Sequence, residues 1–110
     1  MFFEANRQGA RIIFELAAPG LYGERNPRNW QAGYDWWQSE CQNYLSGYAR
    51  DFNTWIVVAT QAGATQDEDF PGGAFVFAPG GERIFTTPDW QPGAVFLEIN
   101  LETQRVVQLL

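Results

Sequence analysis

The sequence predicts an α/β chain in which one long helix packs on a mixed sheet, and three observations carry that prediction. From Trp30 to Phe52, aromatic and apolar residues recur in alternating steps of four and three, which is one face of a helix. Trp55-Ile-Val-Val-Ala-Thr60 is apolar with no polar alternation, as a strand covered on both faces is. Pro79-Gly80-Gly81 separates two short β-rich runs, as a tight turn does within a hairpin.

Taken in order, Met1 to Gln8 is a short helical piece, and Gly9 suits its C-terminal end. Arg11-Ile-Ile-Phe-Glu-Leu16 follows as a strand. From Ala17 to Asn29 the composition turns to Pro, Gly, Asn and Arg, a long loop of the kind that is often functional. Asn26-Pro27 offers an N-cap with proline at the first helical position. The long helix then presents Trp30, Tyr34, Trp37, Cys41, Tyr44, Tyr48 and Phe52 on one stripe, widened by Leu45, and Asn53 is its stop. After the Trp55–Thr60 strand, the polar stretch Gln61 to Gly72 reads as a second loop. The hairpin arms are Gly73–Ala78 and Glu82–Thr86, and Ala94–Ile99 is a last strand. The tail from Asn100 to Leu110 reads as a short helix or an extended arm.

These elements leave a packing shortfall. About five strands, two of them apolar on both faces, need a layer above and a layer below. The one long helix covers roughly one face. The other is expected to meet something outside this chain, because an uncovered sheet face exceeds the apolar patch that monomers expose.

Composition narrows the chemistry further. The chain has 110 residues, enough for one domain, and is 45% hydrophobic, enough for a core. A formal charge of -6 disfavours nucleic acid and anionic lipid as partners. No signal peptide or membrane span is legible, and the single cysteine permits no internal disulfide, so a cytoplasmic protein is expected. All seven basic residues are arginines, and there is no histidine. That excludes Ser-His-Asp and Cys-His centres, His-ligated zinc, a Walker lysine and a Schiff-base lysine.

Among the remaining candidates, Cys41 is the one strong nucleophile type, but it sits mid-helix on the apolar stripe with no base nearby in sequence. It reads as a small buried hydrophobe. Asp67-Glu68-Asp69 lacks the ligand spacing of a calcium loop, and three adjacent side chains do not converge on one ion, so no metal site is expected. Gly72-Gly73 and Gly80-Gly81 do not stand at strand-to-helix junctions and serve turns. Glu15, charged in an apolar strand beside a long loop, either meets a substrate or arginine or points to solvent.

Several segments in order resemble the C-terminal half of the carbon–nitrogen hydrolase superfamily, which includes nitrilases, aliphatic amidases and carbamoylases. They are Gly9-Ala10-Arg11-Ile12-Ile13, then Tyr48-Ala49-Arg50-Asp51 before the Trp55 strand, Gln61-Ala62-Gly63, Gly72 to Gly81, and Ala94 to Glu102. The resemblance runs from Gly9 to about Glu102. It departs at Ala74 and Ala78, where serine and aspartate are usual, at Asp51 in place of glutamate, and at Leu16-Ala17-Ala18 in place of Pro-Ser-Ala.

The resemblance implies half of an αββα sandwich. It also implies a Glu-Lys-Cys centre whose cysteine attacks an amide, nitrile or carbamoyl carbon, with no cofactor. None of the three residues maps onto this chain: the cysteine's position falls a short helix before Gly9, and so before Met1. Residues 1–110 are thus expected to be a partial domain, inactive alone, and a homodimer or aggregation-prone. Ala17 and Ala18 map onto the substrate-facing loop, with Tyr22 and Trp30 as pocket walls. Two other readings stay open: a small-ligand module using Trp30, Trp36 and Trp90, and a structural partner completing another chain's sandwich.

Overall fold

The computed structural model describes residues 2–21, 29–66 and 68–109. In chain order the elements are α1 (Phe2–Arg7), β1 (Ile12–Ala17), α2 (Trp30–Asp51), β2 (Trp55–Thr60), β3 (Ala62–Ala64), β4 (Asp69–Pro71), β5 (Ala74–Phe77), β6 (Arg83–Thr86), β7 (Phe96–Asn100) and β8 (Arg105–Leu109). The main sheet is mixed, in the order β1-β2-β5-β6. β1 and β2 are parallel neighbours joined through α2, the crossover that parallel pairing requires. β5 and β6 continue the sheet by antiparallel pairing, with Pro79-Gly80-Gly81 between them as the sequence predicts.

α2 begins one turn later than expected from Asn26-Pro27, which lie outside the described residues. The cap is Asn29, whose Oδ1 accepts a hydrogen bond from the Ala32 amide at 2.9 Å. At the other end Phe52 N–H donates to Tyr48 O, and Asn53 turns the chain at φ 49, a conformation asparagine tolerates. α2 lays Tyr34, Cys41, Leu45 and Ala49 on Ile56, Val58, Phe75 and Phe77, all buried. Full burial of each large side chain there contributes roughly 1.5–3 kcal/mol.

Two sequence expectations are corrected. Gln61 to Gly72 is not one continuous loop, because β3 and β4 pair antiparallel across it, Gly63 opposite Phe70. The Ala-Gly-Ala of β3 is too small and too short to signal a strand. The tail takes the extended alternative. Asn100 Oδ1 accepts from the amides of Glu102 and Thr103, each at 3.0 Å, and Gln104 turns at φ 58, which sends β8 back along β7.

That hairpin also revises the packing shortfall. Strand alternation puts Ile12, Phe14 and Leu16 of β1 on the face opposite α2, level with Trp55, Val57 and Ala59 of β2. On this face Trp55, Val76 and Ala78 are buried, and Leu97, Ile99, Leu101 and Val106 of the hairpin region pack against them. Arg11 joins Glu102 at 2.9 Å, tying the start of β1 to the hairpin turn. The chain therefore covers part of its second face itself. The cover stops short: Phe14 is 64% exposed and Leu16 is 82% exposed. No helix among the described residues is long and apolar enough to cross a membrane.

Candidate functional site

The open region lies where β1 and β2 end, and the backbone there is closely tied. Gln61 N donates to Ala17 O at 2.9 Å, Thr60 N to Gly73 O at 3.1 Å, and Gly72 N to Gln61 O at 3.0 Å. The Gly72-Gly73 corner has φ values of 69 and 95, where side chains are disfavoured, and it is crowded as well. A Cβ on Gly72 would collide with the Trp90 carbonyl oxygen, and one on Gly73 would stand 2.9 Å from the Tyr34 ring. These glycines therefore form more than the turn expected from sequence. They let the loop carrying Trp90 approach the strand ends.

Side chains lock the same corner from the helix side. Trp37 Nε1 donates to Thr60 Oγ1 at 2.8 Å, Tyr34 Oη donates to Thr87 O, and Ala74 N donates to Thr87 Oγ1 at 3.0 Å. On the opposite face a groove of about 510 Å³ runs between the sheet and the loop before β7. Val57, Ala59, Ala74, Val76, Phe85 and Pro92 contribute its apolar walls, and Asp89 stands at its margin. The size is that of a small-molecule site. The signal in the sequence was the unbroken apolar character of Trp55–Thr60, which implied two faces to cover.

The residues singled out from sequence distribute as follows. Ala17 packs against the helix-side core, and Ala18 follows it, exposed. Trp30 is half-buried as the first residue of α2, one turn before Tyr34. Tyr22 lies outside the described residues, as does Asp67. Among the described residues no cluster of three or more Asp, Glu, Cys or His side chains could hold a metal ion.

Cys41 is 2% exposed and sits within the helix-side core. Burial first, then the carboxylates of Glu15 and Glu40, push its thiol up to about 12, with Arg83 pulling the other way. A thiol held protonated in this way is no nucleophile at neutral pH. Glu15 points to the same side, since it pairs with Val58 and not with the open Val57. Its Oε2 is buried without a hydrogen-bond partner, and burial raises its pKa above the ordinary 4.5. It faces the helix layer, half-buried, and does not point freely to solvent.

No protein-family model matches the sequence, and no curated protein matches it. Solved structures do match the fold. The chain is similar to glutamine-dependent NAD+ synthetase from Acinetobacter baumannii in complex with ADP, with a TM-score of 0.67 and 18% identity over 94% of this chain and 18% of that one. It is similar to carbon–nitrogen hydrolase from Helicobacter pylori, with a TM-score of 0.60 and 19% identity over 81% of this chain and 33% of that one. It is also similar to an amidase from Nesterenkonia sp. AN1, in a structure showing Michael addition of acrylamide at the active-site cysteine. There the TM-score is 0.53 and the identity 18%, over 99% of this chain and 46% of that one. The chain thus spans less than half the length of each, and at these identities the likeness is one of fold.

Proposed function

We propose that this chain, which has the fold of the carbon–nitrogen hydrolase superfamily, is the C-terminal half of a hydrolase acting on amide, nitrile or carbamoyl carbon through a cysteine thioester. The observation that carries the proposal is the combination of that fold with a sheet face left half open at the ends of β1 and β2. The chain has neither lysine nor histidine, and its one cysteine is a buried, protonated thiol. In this reading the Glu-Lys-Cys centre belongs to polypeptide outside residues 1–110. This chain supplies a wall and not the chemistry.

In the reaction so assigned, the thiolate adds to the acyl carbon. From an amide or carbamoyl substrate the amine leaves with a proton from the glutamate; from a nitrile, water first adds to the thioimidate and ammonia then leaves; in both, water activated by the same glutamate cleaves the thioester. Ala17, Ala18, Tyr22 and Trp30 are assigned to the substrate-facing wall. Short side chains at 17 and 18 leave that wall to the larger rings. The protein is proposed to act in the cytoplasm and to dimerise.

The test has two arms. The purified chain is assayed on a panel of amides and nitriles, alone and after mixing with a polypeptide spanning the N-terminal half of a structural relative. Turnover is expected only in the mixture. Turnover by the chain alone that survives Cys41→Ala refutes the assignment. Association without turnover favours a structural role in completing another chain's sandwich.

A further inference from the structure

The groove between the sheet and the loop before β7 owes its shape to two alanines. Ala59 of β2 and Ala74 of β5 stand opposite each other on the face away from α2. Two residues back along β2 the same face carries Val57, paired with Val76, and Phe85 of β6 lies beside Val76. On the β1 side, the row of Ala59 ends in Leu16. Two methyl groups bounded by larger side chains make a hollow. The loop before β7 closes part of it with Pro92 and Ala94.

The lining decides what this hollow accepts. Its walls are hydrocarbon, and Asp89 is the only ionisable residue among the described residues that line it. The polar groups at its margin are already engaged. Asp89 Oδ1 accepts from the Gln91 amide at 2.9 Å, Thr60 Oγ1 accepts from Trp37 Nε1, and Thr87 Oγ1 accepts from Ala74 N. An anion entering here would meet no cation, would face the Asp89 carboxylate, and would approach a molecule of net charge -6. A charge buried without a partner is costly, whereas an uncharged apolar group gains from leaving water.

The position of the hollow ties it to the strand ends. Thr60 and Ala62 both line it, Thr60 pairs with Ala17, and Gln61 N donates to Ala17 O. A molecule lying over Ala59 and Ala74 therefore has one end beside Ala17. From Thr60 to Val57 the hollow extends about 10 Å at 3.3 Å per residue.

We infer that the groove over Ala59 and Ala74 receives the acyl group of the substrate, and that this group is uncharged and apolar, aliphatic or aromatic, acyl groups ending in a carboxylate being excluded. The word substrate rests on the hydrolase reading. The selectivity of the groove does not, and it is measured on the chain by itself.

The test titrates the full chain with N-phenylnaphthylamine, an uncharged probe that fluoresces in apolar surroundings, and with its sulfonate, the same rings carrying one negative charge. The uncharged probe should saturate at one per chain, and the sulfonate should bind at least about tenfold more weakly. Hexanamide should displace the uncharged probe at concentrations about tenfold or more below those needed of adipic acid monoamide, which adds a terminal carboxylate. Ala59→Glu should weaken the uncharged probe at least about tenfold, with Ala94→Glu on the exposed loop as the second variant should the first perturb the circular dichroism melt. Tyr44→Lys, on the exposed side of α2, should leave probe binding unchanged. Equal binding of the two probes overturns the inference, as does probe binding that both glutamate variants leave intact or that Tyr44→Lys removes. A dimer in sedimentation equilibrium that Ala59→Glu dissolves assigns the groove to a second copy, and probe release by the N-terminal-half polypeptide alone assigns it to that chain; either result also overturns it. A mixture that turns over adipic acid monoamide faster than hexanamide refutes the inference and leaves the hydrolase reading standing. Selective probe binding with no turnover in the mixture counts against the hydrolase reading and supports the groove's selectivity.

Discussion

Alkylation of Cys41 offers the sharpest test of where the chemistry does not lie. The perturbation is iodoacetamide at pH 8, applied to folded protein and to protein in guanidinium chloride. Iodoacetamide reacts with thiolate, and burial holds the folded thiol near 12 against an ordinary 9.0. Three pH units mean about a thousandfold less thiolate in the folded state at any pH well below 9. At 2% exposure the sulfur is also screened from the reagent, so the folded rate should fall further and follow transient unfolding. Mass spectrometry of timed aliquots reads both rates, with Cys41→Ala as the blank. Folded protein alkylated within about tenfold of the unfolded rate refutes the argument, because it requires an accessible, ionised thiol. The same shift predicts a loss of stability from about pH 9 upward. The unfolded thiol ionises there while the folded one stays protonated, so alkaline solution favours unfolding.

Glu15→Gln should stabilise the chain at pH 7 by on the order of 1 kcal/mol, since it removes a buried charge lacking a partner for Oε2. The folded pKa is raised, so this gain should be absent below pH 4.5, grow as pH rises from there toward the folded value and level off above it; urea midpoints that differ equally at pH 3.5 and pH 7 would contradict it. Gly72→Ala should cost at least about 2 kcal/mol, from a left-handed backbone and a collision with the Trp90 carbonyl, and a urea midpoint unchanged from wild type would sink that account. Leu16→Lys should change the stability of the isolated chain by less than about 0.5 kcal/mol, because Leu16 is 82% exposed, yet abolish association with an N-terminal-half polypeptide in a titration. Undiminished association would remove Leu16 from the completing interface.

What could be read from the sequence follows the physics of each signal. α2 was legible because a 3.6-residue repeat over about six turns has no competing explanation, and β2 because six residues without a polar break need two covers. The Pro79-Gly80-Gly81 hairpin was legible from turn chemistry alone. The helix start was misplaced because Asn26-Pro27 and Asn29 both satisfy the capping pattern, and only tertiary packing chooses between them. β3 and β4 escaped notice because Ala62-Gly63-Ala64 has neither β-branching nor alternation. Ala17 was placed near the strand ends by family likeness. The groove on the other face of the sheet depends on Phe85 and Pro92, which are distant in sequence and carry no local mark.

The β7–β8 hairpin explains how a chain with an incomplete sandwich can still hold a defined fold. Without it, Trp55, Val76 and Ala78 would face water, and an apolar sheet face would be unprotected. With it, the second face divides in two. The end nearest the start of β1 is sealed by Leu97, Ile99, Leu101 and Val106, and the end nearest Ala17 stays open at Phe14 and Leu16. The open end is also the end where Gly72-Gly73, Thr60 and the Trp90 loop are drawn together. A hydrogen-bonded backbone and exposed apolar side chains therefore coincide at this end. An ordered, uncovered strand end is what a completing layer needs in order to dock without first paying to organise its target.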